Sequence, residues 1–235
     1  MSRVFCFKHE IPEKDFGHDD TFFGVLMMLH EFEKKWLGRQ AYVQQWKKLQ
    51  HHARELAQHH AHEMVLGCEH EPIYTTGKRG IDNRYSALSA PLLSTDRGGE
   101  TTFHGLGQVM FYPVIHLRQR GISVRTYIET LEDSAIQLLQ YYDIEAYRWC
   151  GKPGVWTSQG KIVAIGIRVR NGVAYHGMAL NVHVDMDYFH AINPCGLSLK
   201  AANMCDFNTP YPPLADIFDL WFDIFQRQAI FKTES

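Results

Sequence analysis

Two long β-prone runs joined by an Asn-Gly pair are the feature that most constrains the fold of this chain. The runs extend from Ile162 to Val169 and from Val173 to Val182, and Asn171-Gly172 lies between them. Asn and Gly tolerate positive φ angles, so the pair predicts a tight antiparallel hairpin. Counting outward from the turn places His176 opposite Ile167. The sequence therefore predicts a sheet with an antiparallel centre.

Helices and further strands follow from apolar periodicity. A helix is predicted from Arg39, with Val43, Trp46, Gln50, Ala53, Leu56 and Ala57 on its buried face. A second follows a Ser123 N-cap, and a third follows Pro212-Pro213. Shorter strands are predicted at Met64–Cys68, Ile73–Gly77, Val109–Ile115 and Val155–Thr157, with Pro113 at a strand edge or bulge. The fold class is α+β (α/β): a mixed, largely antiparallel sheet flanked by helices.

Composition narrows the class of protein. The chain has 235 residues, 45% of them hydrophobic, and a formal net charge of -2, so it has no cationic excess for nucleic acid or an anionic membrane. Phe22 to Leu29 is the longest apolar run, too short to cross a bilayer, and no signal-peptide pattern is visible. The predicted organisation is an N-terminal extension of unknown role (1–30) followed by one catalytic domain (31–235).

The cysteines indicate a reducing compartment. There are five, odd in number and without a Cys-x-x-Cys pair. Reduced thiols and a cytoplasmic location are therefore predicted. Cys195 differs from Cys6, Cys68, Cys150 and Cys205 because Pro194 and Gly196 hold it out of regular structure. The other four are interpreted as inert.

Lys161 is the predicted partner of the Cys195 thiol. A lysine after the turn Ser158-Gln159-Gly160 is ordinarily a solvated charge. This one opens the apolar strand that contains Gly166, and a glycine inside a strand suggests close approach by a ligand or another backbone. A nearby ammonium would favour the reactive thiolate.

The stretch Arg97 to Gln108 contains four glycines, an arginine and a histidine. It is neither a Walker loop nor a dinucleotide fingerprint, since no Gly-Lys-Ser/Thr follows and the Gly-x-Gly-x-x-Gly spacing is missing. Two interpretations stay open: a glycine-rich surface turn, or a loop that lines a substrate site. The glycines at 166 and 177 would lie near each other on the hairpin and leave a slot over the sheet.

Histidines at 51, 52, 59, 60 and 62 suggest a metal site at first sight. They lack His-Glu-x-x-His spacing and a cysteine at zinc-site distance, so a solvated helix face is the favoured interpretation. No metal is predicted.

Together these stretches resemble the octanoyltransferases of lipoate biosynthesis. The motifs that carry the resemblance are Glu69 to Gly77, Arg97 to Gln108, Gly154-Val155-Trp156 with Lys161 to Gly166, and His176 to Val182 with Asn193-Pro194-Cys195-Gly196. The similarity covers roughly residues 31 to 220. It implies the biotin/lipoate protein ligase-like fold. Leu106 departs from the family's usual Pro in His-Gly-Pro-Gly-Gln.

The resemblance also implies roles. Cys195 would take the octanoyl group from the thioester of octanoyl-acyl-carrier protein, with Lys161 as acid/base partner, and pass it to a lysine of a lipoyl domain or of the glycine-cleavage H protein. A thioester is already activated, so no cofactor is expected. The residues implied to line the acyl-binding tunnel are Arg97, Gly98, Gly99, Glu100, Thr101, Thr102, Phe103, His104, Ala164, Ile165, Gly166, Gly177, Met178 and Ala179.

Two alternatives to this function stay open. One is an ATP-dependent lipoate- or biotin-type protein ligase on the same fold, which would need no cysteine. The other is a non-catalytic module that binds an acyl group or a metal.

Overall fold

The computed structural model describes residues 32–80, 88–192, 200–207 and 210–228. The predicted N-terminal extension and the Asn193-Pro194-Cys195-Gly196 box lie outside these ranges. The elements in chain order are β1 (Glu33–Gln40), α1 (Tyr42–Ala57), β2 (Met64–His70), β3 (Ile73–Thr76), β4 (Leu92–Ser94), β5 (Thr101–His104), β6 (Gln108–Val114), α2 (Val124–Tyr141), β7 (Tyr147–Trp149), β8 (Lys152–Trp156), β9 (Lys161–Arg170), β10 (Val173–Asn181), α3 (Asp187–Ala191), a 3₁₀ turn (Met204–Phe207) and α4 (Leu214–Gln226).

A seven-stranded sheet in the order β1-β2-β6-β10-β9-β8-β7 forms the centre of the fold. Its pairs are antiparallel except for β1 with β2, which is parallel. A second sheet has the order β4-β3-β5. Helices α2 and α4 pack on one face of the large sheet and α1 on the other. The predicted mixed, largely antiparallel sheet with flanking helices is confirmed.

The β9–β10 hairpin forms as the Asn-Gly pair predicts. Asn171 and Gly172 have φ angles of 52° and 87°, as a two-residue turn with positive φ at both positions requires. His176 pairs with Ile167, in the register counted from the sequence, and Gly177 pairs with Gly166. The hairpin thereby brings two of the motif segments side by side.

Strand β10 is distorted at His176, which has a φ of 60°. In a regular strand, neighbouring side chains point to opposite faces of the sheet. Here Tyr175 and His176 both reach the carboxylate of Asp96, so the left-handed residue turns His176 to the same face as Tyr175. Such a conformation in a non-glycine residue costs about 1–2 kcal/mol and needs support from its surroundings.

Pro113 lies in the central strand β6, beside this distortion. The β6–β10 ladder is interrupted between Phe111–Met178 and Ile115–Ala174, and Pro113 lies in the gap. Proline has no N–H to donate, so it is tolerated where the ladder is broken. The structure thus places Pro113 where the ladder of a central strand is interrupted, and not at a strand edge or bulge.

Two apolar layers stabilise the sheet. On one face Trp221 and Phe218 of α4 pack against Phe111, with ring centroids 4.5 and 6.1 Å away. The indole N–H of Trp221 donates to Ser134 of α2 over 2.9 Å, which satisfies a buried polar group. Ser123 caps α2 as predicted, accepting from the Thr126 N–H over 3.0 Å.

The start of the first helix was predicted wrongly. Arg39 and Gln40 belong to β1, and α1 begins at Tyr42. β1 has no clean apolar alternation because it is an edge strand, paired with β2 alone and with an irregular register near Gly38. The buried face of α1 is also rotated: Val43 is 39% exposed, whereas Gln45 is buried.

The structure adds strands that periodicity did not indicate. β5 lies inside the glycine-rich stretch, and β4 and β7 are only three residues each. Runs this short carry too little pattern to be recognised. Within the described ranges, no helix has the length and apolarity needed to cross a bilayer.

Substitution of Gly67 by alanine tests the packing of α4 on β2. A methyl group there would lie 2.6 Å from Cγ of the buried Phe218 ring, inside van der Waals contact. We expect Gly67→Ala to lower the free energy of unfolding by about 1–3 kcal/mol in urea denaturation. Adding Phe218→Leu should give a double variant more stable than the sum of the two single effects. Additive losses would contradict the contact.

Candidate active site

Lys161 opens β9 next to the segment that follows the Cys195 box. Its backbone N–H donates to the carbonyl of Lys200 over 2.7 Å, and its carbonyl accepts from Ala202 over 3.0 Å. Lys200 is five residues beyond Cys195 in the sequence. Lys161 is therefore bonded to a segment that begins five residues after the predicted nucleophile in the sequence.

The Lys161 side chain is not the solvated charge that its turn alone would suggest. Its amino group lies 5.1 Å from the centroid of the Trp156 ring. A methyl group at Gly154 would lie 2.5 Å from Cε and 3.1 Å from Nζ of Lys161, so the lysine passes directly over that glycine. Burial lowers the pKa of Lys161 to about 8. An amine with this pKa exchanges protons near neutral pH.

Arg97 is a buried clamp at the base of the glycine-rich stretch. Its guanidinium donates to the side chain and carbonyl of Thr75, and to the carbonyls of Gly98 and Glu100, over 2.6–3.1 Å. Within the described residues no carboxylate oxygen lies within 4 Å of it, and burial lowers its pKa. The planar fork of donors joins β3 to the loop that precedes β5.

Gly98 connects this loop to β9. Its N–H donates to the carbonyl of Ile167 over 2.9 Å. A methyl group at Gly166 would lie 3.1 Å from the Gly98 carbonyl oxygen, so the backbone of the loop covers that glycine. The close approach expected at Gly166 is that of another backbone. Among the described residues, the Gly98 carbonyl and the Arg97 side chain occupy the space where the slot over Gly166 was predicted.

The carboxylate of Asp96, one residue before Arg97, accepts four hydrogen bonds. The indole N–H of Trp46 donates over 2.9 Å and the amide of Gln50 over 3.4 Å, both from α1. The Tyr175 hydroxyl and the His176 ring approach from β10, the latter over 2.8 Å. These hydrogen bonds hold the pKa of Asp96 well below its usual range despite partial burial. The carboxylate joins the loop, α1 and β10.

A buried polar chain runs from His104 toward Lys161. His104 Nδ1 is 2.9 Å from Oε1 of Gln108, whose amide donates to Asn181 over 2.8 Å. Asn181 in turn donates to the carbonyl of Ala202 over 3.1 Å. The end of the glycine-rich stretch is thereby linked to the segment that flanks Lys161.

The residues predicted to line the acyl tunnel fall into three adjacent segments. Ala164, Ile165 and Gly166 of β9 pair with Ala179, Met178 and Gly177 of β10. The third segment, 97–104, is not uniform: Glu100 is exposed, Gly98, Gly99, Thr101 and Thr102 are half-buried, and Arg97, Phe103 and His104 are buried. Phe103 stacks on Tyr188 with 4.1 Å between centroids, inside the apolar cluster of the small sheet. Their role in binding an acyl chain stays a prediction.

Asp96 and Glu132 are the site residues that sequence reasoning missed. A single aspartate beside an arginine, and a glutamate within a helix, are ordinary surface patterns. The hydrogen-bond partners of Asp96 lie 46 to 80 residues away in the sequence. Gly154, which donates to Glu132, lies 22 residues away from it. Gln108 and Asn181 lay inside the recognised motifs, but no pattern showed that they bond each other.

Leu106 occupies a tight turn between β5 and β6. The Gln108 N–H donates to the Gly105 carbonyl, and Gly107 has a φ of 79°. A positive φ at the third position is the requirement of a type II turn, in which proline is common at the second. Leu106 is at that second position and is 41% exposed. The family's usual Pro and this leucine thus suit the same turn.

Neither the histidines nor the remaining cysteines form a metal centre in the described part of the chain. There, no three His, Cys, Asp or Glu side chains converge. Of the cysteines interpreted as inert, Cys68 is buried and burial raises the pKa of its thiol, whereas Cys150 and Cys205 are exposed.

The model of the lipoyl protein ligase A/B catalytic domain matches residues 41–226. The chain belongs to this family. The octanoyltransferase of Dichelobacter nodosus (strain VCS1703A) is 37% identical over 195 residues, which are 82% of this chain and 96% of the relative. That of Dechloromonas aromatica (strain RCB) is 45% identical over 144 residues, 60% and 70% of the two chains. The predicted octanoyltransferase family and the acyltransferase class are confirmed.

Solved structures of lipoate protein ligases are similar to this chain in fold. A bi-partite lipoate protein ligase of Thermoplasma acidophilum, studied with its E2 lipoyl domain, has a TM-score of 0.62 at 16% identity and covers 83% of both chains. Lipoate-protein ligase A bound with ATP has a TM-score of 0.59 at 15% identity, covering 87% of this chain and 97% of the ligase. The predicted biotin/lipoate ligase-like fold is confirmed.

Replacement of Arg97 by lysine tests the clamp. A lysine has one donor group where the guanidinium reaches four acceptor oxygens, so buried carbonyls would lose their partners. We expect Arg97→Lys to lower the free energy of unfolding by about 2–4 kcal/mol. Arg170→Lys, at the exposed end of β9, is the matched control and should change it by less than about 0.5 kcal/mol. Equal effects would contradict the clamp.

Buried histidines predict a loss of stability in mild acid. Burial lowers the pKa of His70 to about 4, and it also lowers the pKa values of His104 and His176. Below pH 6.5 these histidines become protonated in the unfolded chain but stay neutral in the folded chain. The free energy of unfolding should therefore fall between pH 6.5 and about 4, by up to about 1.4 kcal/mol per pH unit for each histidine.

Urea denaturation at pH 7.5, 6.5 and 5.5 measures this slope. His104→Gln keeps a polar side chain beside Gln108 and removes one titrating group, so its slope should be shallower than that of the parent chain. A stability that is level from pH 7.5 to 5.5 would contradict the burial of neutral histidines.

Proposed function

We propose that this chain transfers an octanoyl or lipoyl group from the thioester of an acyl-carrier protein to a specific lysine of a lipoyl domain or of the glycine-cleavage H protein, in lipoate biosynthesis. The acyl group is held on Cys195 between the two carriers. The names of the curated octanoyltransferase relatives support the reaction. The Thermoplasma ligase studied with its E2 lipoyl domain supports a lipoyl domain as acceptor.

The environment of Lys161 is the observation that carries this proposal. Its amino group is partly buried, it lies against Trp156 and Gly154, and its pKa is lowered to about 8. Burial of an amino group disfavours its charged form, so this position does not stabilise the fold in the way that a solvated surface lysine would. An acid/base group needs a pKa near the working pH.

Chain connectivity supports the pairing of Cys195 with Lys161. Lys200 bonds the backbone of Lys161 and is five residues after Cys195. Five extended residues span at most about 18 Å, so the covalent chain alone limits the distance between Cys195 and Lys200 to that length. A thiol has a pKa of about 8.5, and a neighbouring ammonium increases its thiolate fraction at neutral pH.

The proposed reaction has two steps. First, the Cys195 thiolate attacks the thioester carbonyl carbon, the bond to the carrier sulfur breaks, and the leaving thiolate takes a proton from the Lys161 ammonium. Second, the neutral amine of the acceptor lysine attacks the acyl-cysteine and forms an amide. The bond to Cys195 then breaks, and the amine proton returns to Lys161. Bonds and protons balance without ATP or a metal.

The β9–β10 segments and the Arg97 loop suit the acyl chain. Ala164 and Ala179 are small and Met178 adapts to an apolar ligand, whereas Gly166 and Gly177 are covered closely by the backbone of Gly98 and Phe111. Burial of an eight-carbon chain contributes about 0.8 kcal/mol per CH₂. The proposed thiolate nucleophile needs a reducing compartment, so a cytoplasmic location is part of the proposal.

Acyl transfer from octanoyl-acyl-carrier protein to the purified chain tests the mechanism. Intact-mass spectrometry should show an added octanoyl group on the parent chain and none on Cys195→Ala. Lys161→Ala should load at least about 100-fold more slowly, because the acid/base group is lost. Lys152→Ala removes an exposed lysine of β8 and is the matched control, with parent-like loading.

The pH dependence sharpens this test. If the Lys161 ammonium is required, loading should decline above a pKa of about 8, the value set by burial. Transfer that depends on ATP and survives Cys195→Ala would overturn the proposal in favour of a ligase. Stoichiometric zinc that is lost with Cys195 would favour a binding module.

A further inference from the structure

Glu132 of α2 is a buried carboxylate that the proposed reaction does not use. The residue is only 7% exposed, while Glu129 and Asp133 on the same helix have side chains 41% and 49% exposed. Carboxylates are almost never buried unless they are paired or bonded. The contacts of the Glu132 carboxylate must therefore account for its burial.

Those contacts lead to the glycine beneath Lys161. Oε1 of Glu132 accepts the backbone N–H of Gly154 over 2.9 Å. Oε2 lies 3.4 Å from Nε of Arg148, which is also paired with Asp133. Gly154 has a φ of 121°, a conformation that side chains rarely adopt. The carboxylate thus fixes an unusual backbone position from the α2 side.

Lys161 packs on that backbone position. The Cβ site of Gly154 is 2.5 Å from Cε and 3.1 Å from Nζ of the lysine. The Trp156 ring, two residues further along β8, faces the same amino group at 5.1 Å. Any shift of Gly154 would consequently move the surface against which the lysine lies.

Four charged groups on the surrounding elements influence the protonation of Lys161. Glu132 on α2 and Glu100 before β5 favour its ammonium form, while Arg97 and Arg79 oppose it, and Glu132 has the largest influence of the four. Within the described ranges, no carboxylate oxygen forms a direct ion pair with Nζ within 4 Å. The charge of Glu132 therefore influences the Lys161 ammonium without a direct salt bridge, so the ammonium proton stays exchangeable.

We propose that Glu132 is a positioning residue for Lys161: it holds Gly154 in place beneath the amino group, and its negative charge favours the ammonium over the free amine. The inference rests on the proposed role of Lys161 as the acid/base partner of Cys195. It assigns to α2, which no motif includes, a direct influence on the reacting group.

Competitive acetylation of the full-length chain tests this inference without using activity. The rate at which acetic anhydride modifies Lys161, followed by mass spectrometry across pH, reports the pKa of its amine. Glu132→Gln keeps an oxygen that can accept from Gly154 and removes the charge, so this pKa should fall by roughly one unit. The alkaline limb of octanoyl loading should move down by a similar amount, with an unchanged KM for the carrier.

Asp133→Asn is the matched control. It removes the same charge from the next residue of α2 and also loses a contact with Arg148, but Asp133 does not bond Gly154. Its Lys161 pKa should equal that of the parent. Equal downward shifts in the two variants, or no shift in Glu132→Gln, would overturn the inference.

A second variant acts in the opposite direction. Arg148→Gln removes the cation that neutralises Glu132, so the pKa of Lys161 should rise, and this carries the test if Glu132→Gln does not fold. A fall, or no change, would contradict the inference. Failure of the proposed function is separate: it would appear as parent-like octanoyl loading by Lys161→Ala, while the acetylation profile still reports on Glu132.

Discussion

The carboxylate of Asp96 is the interaction on which the rest of the site depends. It is charged, partly buried and bonded by four side chains that come from α1 and β10. A carboxylate satisfied in this way is fixed in direction, because each donor constrains a different lone pair. Arg97 follows directly in the chain, so the guanidinium clamp and the glycines after it begin from a fixed point.

The distortion of β10 at His176 is part of the same interaction with Asp96. A regular strand would point Tyr175 and His176 to opposite faces, and only one of them would meet Asp96. The left-handed His176 gives up about 1–2 kcal/mol of backbone energy, and the bond to Asp96 offsets part of it. Pro113 lies where the adjacent ladder is interrupted, and Gly177 fits closely against the Phe111 backbone. The contact between His176 and Asp96 thus accompanies both the backbone strain in β10 and the fixed position of the loop that contains Arg97.

Much of the fold was predictable because its signals are local. The Asn171-Gly172 turn fixes a register for two long strands, and the Ser123 cap marks the start of α2. In the small sheet β3 was predicted, but β4 and β5 were not, and β1 was also missed, since strands this short or at the edge of a sheet are specified by their partners. In the site, the motifs that carry Lys161, Arg97 and Gly166 were recognised and lie side by side. Asp96 and Glu132 were missed because their partners are distant in sequence.

The turn at Leu106 has a consequence for the unfolded chain. A proline at this place would have its φ already restricted before folding, whereas leucine samples the whole allowed map and must lose that freedom each time the chain folds. The leucine side chain is 41% exposed, so its burial compensates for only part of this loss. The turn therefore depends more on the neighbouring Gly107, whose N–H donates to the Glu69 carboxylate over 2.8 Å. This hydrogen bond to a distant residue stabilises a bend that the ring of a proline would have favoured locally.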